Sequence, residues 1–412
     1  MRQFAVTDAH TAVTPQPDSR IRLHDLATRP DRDEWIVGRF ETRQFVALPR
    51  EGVTALELLR AGHTIEKAAE RLADAEGREF DVLSFIEALM ELDFVAAVDG
   101  RPVPCAKPRP ASFPWIRPEH VRFTLSPVFP VLFACLMVAA VATLVDRPDL
   151  LPSFHNLLWT PAGSIVLALS VTAGWSLVFV HELAHFVVAR ATGVHARIRL
   201  GTRLQFLVAE TDISGIELAP RRHRLAAYLA GMSTNFSVAA VAVIFAAATA
   251  QATTPHRILA AVVVIALLPL PFQFMVFMRT DIYFVLQDLT SCRDLYGDGL
   301  AYARYLGNRL QPGIFRGSER AVDPSLNLPS HERRAVRVYS IVLVLGTVLC
   351  LTAMVTFTLP ADLSLIYRAI DRLGPSHPIA TNLDGAVVLL ILGTLHAVWV
   401  VTWWRRHRSK RQ

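Results

Sequence analysis

The sequence predicts a mainly α, polytopic helical membrane protein of about six transmembrane helices, with a small α+β winged-helix domain at its amino terminus. Three observations predict it. First, 52% of the 412 residues are hydrophobic and only 19% charged, with mean hydropathy +0.35. A water-soluble chain of this length carries more charge. Second, the apolar residues are segregated: residues 1–115 read as soluble, and long apolar runs dominate from about Phe123. Third, the charge is segregated too. Residues 1–100 hold 19 Asp+Glu against 12 Lys+Arg, a net of −7, whereas the whole chain is +6, which leaves +13 beyond residue 100. An acidic amino-terminal domain argues against nucleic acid as a partner and against a membrane-tethered transcription regulator. Four well-separated cysteines (Cys105, Cys135, Cys292, Cys350) offer neither a disulfide framework nor a thiolate metal site. Met1 to Arg20 has no apolar core and is not read as a secretory signal.

The amino-terminal domain is assigned to residues 1–100. Trp35–Phe40 and Gln44–Pro49 alternate as a hairpin. Glu51–Arg60, Thr64–Leu72 and Asp81–Leu92 carry helical apolar spacing, with Gly62-His63-Thr64 as the turn between the first two. Phe94–Val98 followed by Asp99-Gly100 reads as a wing strand and its turn. Residues 101–122 form a Pro-rich linker. The remainder, 123–412, is the transmembrane domain, with spans near 123–145, 162–191, 225–250, 258–290, 336–358 and 385–404. The second and fourth exceed the length needed, and Pro269 and Pro271 are expected to bend the fourth. Loops 190–224 and 291–337 are rich in arginine, as is the tail from Arg405. The alternate loops 146–161, 251–257 and 359–384 are poor in it. By the positive-inside rule, both termini are cytoplasmic. The stretch 291–335 reads as irregular and polar.

The chemistry concentrates in His181-Glu182-Leu183-Ala184-His185. Histidines at i and i+4 share a helical face, with Cβ atoms about 6 Å apart. Both imidazoles can then reach one Zn2+ at about 2.0–2.1 Å. Glu182, beside the first ligand, is placed as a general base. Ionisable groups inside an apolar span cost roughly 2–3 kcal/mol or more unless partnered, which favours a functional site. The bland alternative is interhelical hydrogen bonding. A third protein ligand is required, and Asp281 in the fourth span lies at a similar depth to His185. Asp288, seven residues on, is a rival, and Asp281 could instead pair with Arg279. His195, His223 and His396 fit no ligand spacing and read as interfacial or packing residues.

HELAH within a span, with an aspartate in a later span, resembles the site-2 protease family of intramembrane zinc metalloproteases. Gly231-Met232-Ser233-Thr234-Asn235 resembles that family's GxxxN stretch. Asp281, Tyr283, Leu286, Asp288 and Leu289 resemble a segment of its putative peptide zinc metalloprotease subgroup, and Thr211-Asp212-Ile213-Ser214 with Pro220-Arg221-Arg222 resembles the hairpin that follows the zinc helix there. Ile282, Thr280 and Met232 stand where the family carries glycine, leucine and proline. The resemblance implies a zinc endopeptidase of a bacterial cell membrane, acting on a membrane-associated or ribosomally made peptide. In it His181, His185 and Asp281 are metal ligands and Glu182 is catalytic. Asn235 holds extended substrate, and Asp212 lies in a hairpin that could add a strand to it. Lipid and a peptide or membrane-protein substrate are the expected partners. The order of elements in residues 1–100 is similar to PqqD-like domains, which implies leader-peptide binding. The rival function is a non-catalytic membrane partner in peptide export, maturation or immunity that keeps a structural metal.

Overall fold

A computed structural model describes residues 14–31, 34–42, 44–76, 80–105, 112–157, 163–203, 206–310, 322–375 and 377–408. Expectations for residues 1–13, for 106–111 of the linker, for Arg316 and Arg320, and for the last four residues lie outside them. The chain divides into two compact units.

The first unit gathers the residues up to Ile116 with Thr192–Arg197 and Ile213–Pro220. It runs β1 (Ile21–Leu23), β2 (Ala27–Asp31), β3 (Glu34–Arg39), β4 (Gln44–Leu48), α1 (Arg50–Arg60), α2 (Ile65–Glu76), α3 (Val82–Glu91), β5 (Val95–Val98) and β6 (Arg101–Pro102). The strands β2-β3-β4 form one antiparallel sheet, with Trp35 opposite Leu48 and Val37 opposite Val46. A second sheet has the order β1-β5-β6. Strands β1 and β2 are additional to the sequence reading: β1 has only three residues and pairs with the distant β5, and β2 is a polar strand that pairs with the adjacent β3. Gly62, at φ 86°, ends α1 in the left-handed conformation that glycine adopts without penalty. Asp99 and Gly100, at φ 49° and 80°, form the two-residue turn between β5 and β6. Asp81 caps α3, accepting the Ser84 amide at 3.0 Å. The core between helices and strands holds Val37, Leu56, Ile86 and Phe94, all essentially inaccessible.

Among the described residues, the second unit holds six helices long and apolar enough to cross a membrane. After the short α4 (Pro118–Val121) come α5 (Val128–Asp146) and α6 (Gly163–Ala191). The strands β7 (Arg197–Arg203) and β8 (Phe206–Asp212) pair as a two-stranded sheet. Then follow α7 (Arg221–Ala247), α8 (Thr254–Leu267), α9 (Leu270–Gln273), α10 (Asp281–Thr290), α11 (Leu295–Leu310), α12 (Ser330–Ala353), α13 (Leu359–Asp371) and α14 (Ile379–Arg408). Of the spans, α7 is the most enclosed: 44% of its apolar window is buried, against 6% for α5, α6 and α14. Its buried face is rich in small residues, among them Ala227, Ala230, Gly231, Ala239, Ala242 and Ala246, beside larger ones such as Tyr228 and Met232. Without a hydrophobic drive between helices in lipid, such faces let backbones approach and pack.

Three expectations are corrected. The fourth span is not one bent helix over 258–290. Proline cannot continue a helical hydrogen-bond ladder, and after Pro269 and Pro271 only the single turn α9 forms. A 3₁₀ turn at Val276–Met278 and a left-handed Arg279 (φ 57°) follow before the chain re-enters a helix at Asp281. The stretch 291–335 is not irregular throughout. It contains α11, whose Leu295 packs with Tyr283, Val336, Tyr339 and Leu343. Glycines hid that helix, and Gly299 is there for contact: a Cβ on it would stand 2.7 Å from the Tyr339 ring. Within 359–384, read as a connecting loop, α13 continues from α12 through a π-helical turn at Met354–Thr358.

Candidate metal centre

The donor set starts from one helix. Four-residue spacing on α6 stacks His181 and His185 one turn apart, with ring centroids 4.9 Å apart. Both are buried, and their Nε2 atoms are 3.2 Å apart. The opposite nitrogens fix the tautomers. His185 Nδ1 lies 2.7 Å from the carbonyl oxygen of Ala227. A carbonyl only accepts, so Nδ1 is the donor. His181 Nδ1 lies 3.2 Å from Asn235 Oδ1. The Asn235 amide is oriented from its other end, where Nδ2 donates to the Ala266 carbonyl at 3.0 Å. In the neutral form each ring, with its proton on Nδ1, therefore turns a bare Nε2 lone pair inward, as ligating histidines do.

Asp281 closes the triangle. Its Oδ2 stands 3.1 Å from each Nε2. Three acceptor atoms facing one another repel, and a cation among them reverses the sign. Tetrahedral bonds of 2.0–2.1 Å to zinc separate neighbouring ligand atoms by about 3.3 Å, close to the spacing found. The space between the rings exists because residue 231 is glycine: a Cβ there would stand 2.3 Å from His181 Nε2 and 2.4 Å from His185 Nε2. The donors present thus fit a zinc ion in type, spacing and room. Among the described residues this is the one group of three His, Cys, Asp or Glu side chains able to hold a metal ion.

The break in the fourth span delivers Asp281. Gln273 grips the far side of the break twice: its carbonyl accepts the Thr280 hydroxyl at 2.6 Å, and its side-chain Oε1 accepts the Asp281 amide at 3.0 Å. Thr280, a departure from the family pattern, is 2% exposed and serves this closure. Arg279 does not pair with Asp281. Its guanidinium lies 5.6–5.9 Å from the ring centres of Tyr283, Phe284 and Tyr296. The rival Asp288 is engaged elsewhere, forming a buried ion pair with Arg224 of α7.

Glu182 follows the first histidine and is 8% exposed. Its Oε2 lies 2.7 Å from the Thr211 hydroxyl of β8, which also lies 3.0 Å from the Glu182 carbonyl. Asn235 is buried with both ends of its amide bonded to protein. Asp212 ends β8 and is not in the cluster, nor are His195, His223 and His396. Sequence reasoning missed the site roles of Thr211, Gly231 and Gln273. Of these Gly231 and Thr211 had a local signal, their places in the GxxxN stretch and in the hairpin that follows the zinc helix; Gln273 had none.

Six apolar helices and an inward-facing His-His-Asp set define an integral, multi-pass membrane protein with the donors of a metal centre. The chain belongs to Peptidase family M50: residues 169–387, more than half of its length, match that family. The family is one of membrane metallopeptidases, typically zinc-dependent, so the chain is placed among peptide-bond hydrolases. No curated protein matches the chain. No solved structure matches it.

Proposed function

We propose that this protein is an intramembrane zinc endopeptidase, with His181, His185 and Asp281 as metal ligands and Glu182 as the proton-transfer group. The observation that carries the reading is the convergence of two imidazole Nε2 atoms and a carboxylate oxygen within 3.2 Å of one another, next to a buried carboxyl group. When bound, zinc supplies Lewis acidity toward a scissile carbonyl and lowers the pKa of water. The chain's own groups do the rest. The Ala227 carbonyl and Asn235 lock the imidazoles; Asn235 is thereby a positioning residue for His181. Glu182, oriented by Thr211, takes a proton from the attacking water and returns it to the leaving amine. A helical substrate hides its carbonyls in its own hydrogen bonds, so the cleaved segment is extended.

The substrate class proposed is a membrane-associated or ribosomally made peptide. The first unit supports it: its outer strands β2 and β4 offer edges to which an extended leader segment can add. The arginine distribution supports cytoplasmic termini, and the family resemblance supports a bacterial membrane. The test replaces Glu182 with Gln and maps membrane peptides by mass in cells carrying either form. Cleavage should disappear while purified protein retains zinc. Cleavage equal to wild type by Glu182→Gln would refute the assignment.

A further inference from the structure

The metal donors come from two pieces of chain that no helix joins: α6 brings the histidines and α10 brings Asp281 across the break. Both pieces meet α7, through the Ala227 carbonyl and the Arg224–Asp288 pair, and the β7–β8 hairpin also touches both sides. At its open end, Thr211 holds Glu182 of α6 at 2.7 Å. At its tip, Arg203 Nη1 donates to the carbonyl of Arg279 at 2.9 Å, two residues before Asp281. Arg203 is itself held by Glu210 of β8 at 3.3 Å. The other tip residue, Phe206, packs edge-on against Phe272 of α9, with centroids 4.8 Å apart. Between Phe206 and Thr211 the strand covers about 17 Å at 3.3–3.4 Å per residue, so one stiff element ties the general base to the turn that presents the third ligand. Arg279 is left-handed at φ 57°, a conformation that a non-glycine residue holds only when its surroundings fix it.

We propose that the β7–β8 hairpin is the positioning strut of the site: Arg203 and Phe206 hold the Asp281 turn, and Thr211 holds Glu182. None of the three is a catalytic residue. The proposal rests on the zinc-peptidase reading, and its test separates the two. Zinc affinity is measured on the full chain in detergent or nanodiscs, by competition with a chromophoric chelator. Arg203→Met and Phe206→Ala should each weaken zinc 10–100-fold, the range for lost outer-shell support, and Arg203→Lys should recover part of the loss. Thr211→Val should bind zinc as wild type but lower kcat at unchanged KM on the mapped peptide, and Thr211→Ser should restore it. Wild-type zinc affinity in both Arg203→Met and Phe206→Ala, with the fold intact by thermal unfolding, would overturn the strut. So would loss of zinc in Thr211→Val, which would make the hairpin a general stabiliser. Failure of the wild-type chain to bind zinc would instead strike the underlying reading.

Discussion

Replacing Gly231 with alanine sets helix propensity against the room the two imidazoles need. On helix propensity alone, alanine is favoured over glycine by about 1 kcal/mol, so α7 should gain. The added methyl, however, would lie 2.3 Å from His181 Nε2, 2.4 Å from His185 Nε2 and 2.5 Å from His181 Cδ2. Ordinary carbon contacts begin near 3.5 Å, so the two rings must retreat by about 1 Å. Metal–ligand distances tolerate only about ±0.2 Å. The rings cannot retreat by changing partners cheaply, because the Ala227 carbonyl and Asn235 hold their far nitrogens. Zinc affinity should therefore fall at least 100-fold, and because overpacking costs about 1–3 kcal/mol against the propensity gain of about 1 kcal/mol, the metal-free variant should unfold at or below the temperature of metal-free wild type. Elemental analysis of purified protein and chelator competition read the first quantity, and thermal unfolding in EDTA reads the second. Gly231→Ala protein with wild-type zinc content and affinity would show that the space between the rings is not the metal position.

Other expectations follow from the same geometry. Asp281→Ala should lose zinc, whereas Asp288→Ala should keep it and be destabilised by about 3–5 kcal/mol, because the Arg224 charge then stays buried without its carboxylate; zinc content and thermal unfolding of the pair should cross over in this way. EDTA should lower the unfolding temperature of wild type, since a ligand at 100 times its Kd contributes about 2.7 kcal/mol, and should leave a His181→Ala/His185→Ala variant unmoved. In the first unit, the Arg20 amide donates to Asp99 Oδ1 at 2.7 Å and holds that carboxyl below its usual range. A lowered folded value means stability that is present above the unfolded value near 3.9 and lost as pH falls through the folded one. Exchange protection of residues 20–23, corrected for intrinsic rate, should therefore drop on acidification in wild type and stay flat in Asp99→Asn.

What could be read from the chain was what is local. Six long apolar runs declare themselves by length, and HELAH declares a shared helical face by spacing. Asp281 was reachable because span order and depth are one-dimensional quantities. The break before it was not, since Phe274 to Met278 is apolar and mimics a continuing helix; only Pro269 and Pro271 hinted at it. Thr211 and Gln273 are ordinary polar residues whose roles exist only once β8 lies against α6 and Gln273 faces Thr280. The helix α11 was concealed by Gly297, Gly299 and Gly307, which lower helix propensity in isolation. At Gly299, at least, the missing side chain makes room for Tyr339.

The interrupted fourth span also bears on how water meets the site. Free amides and carbonyls do not face hydrocarbon; irregular backbone at that depth survives only where protein or an aqueous cavity receives it. Residues 274–280 unwind at the level of the two histidines, as the Asp281 contacts require. Hydrolysis consumes one solvent molecule per bond cut, and lipid tails hold almost none. The unwound segment brings polar backbone to that level, so this break in the fourth span is where solvent can be lodged for the reaction.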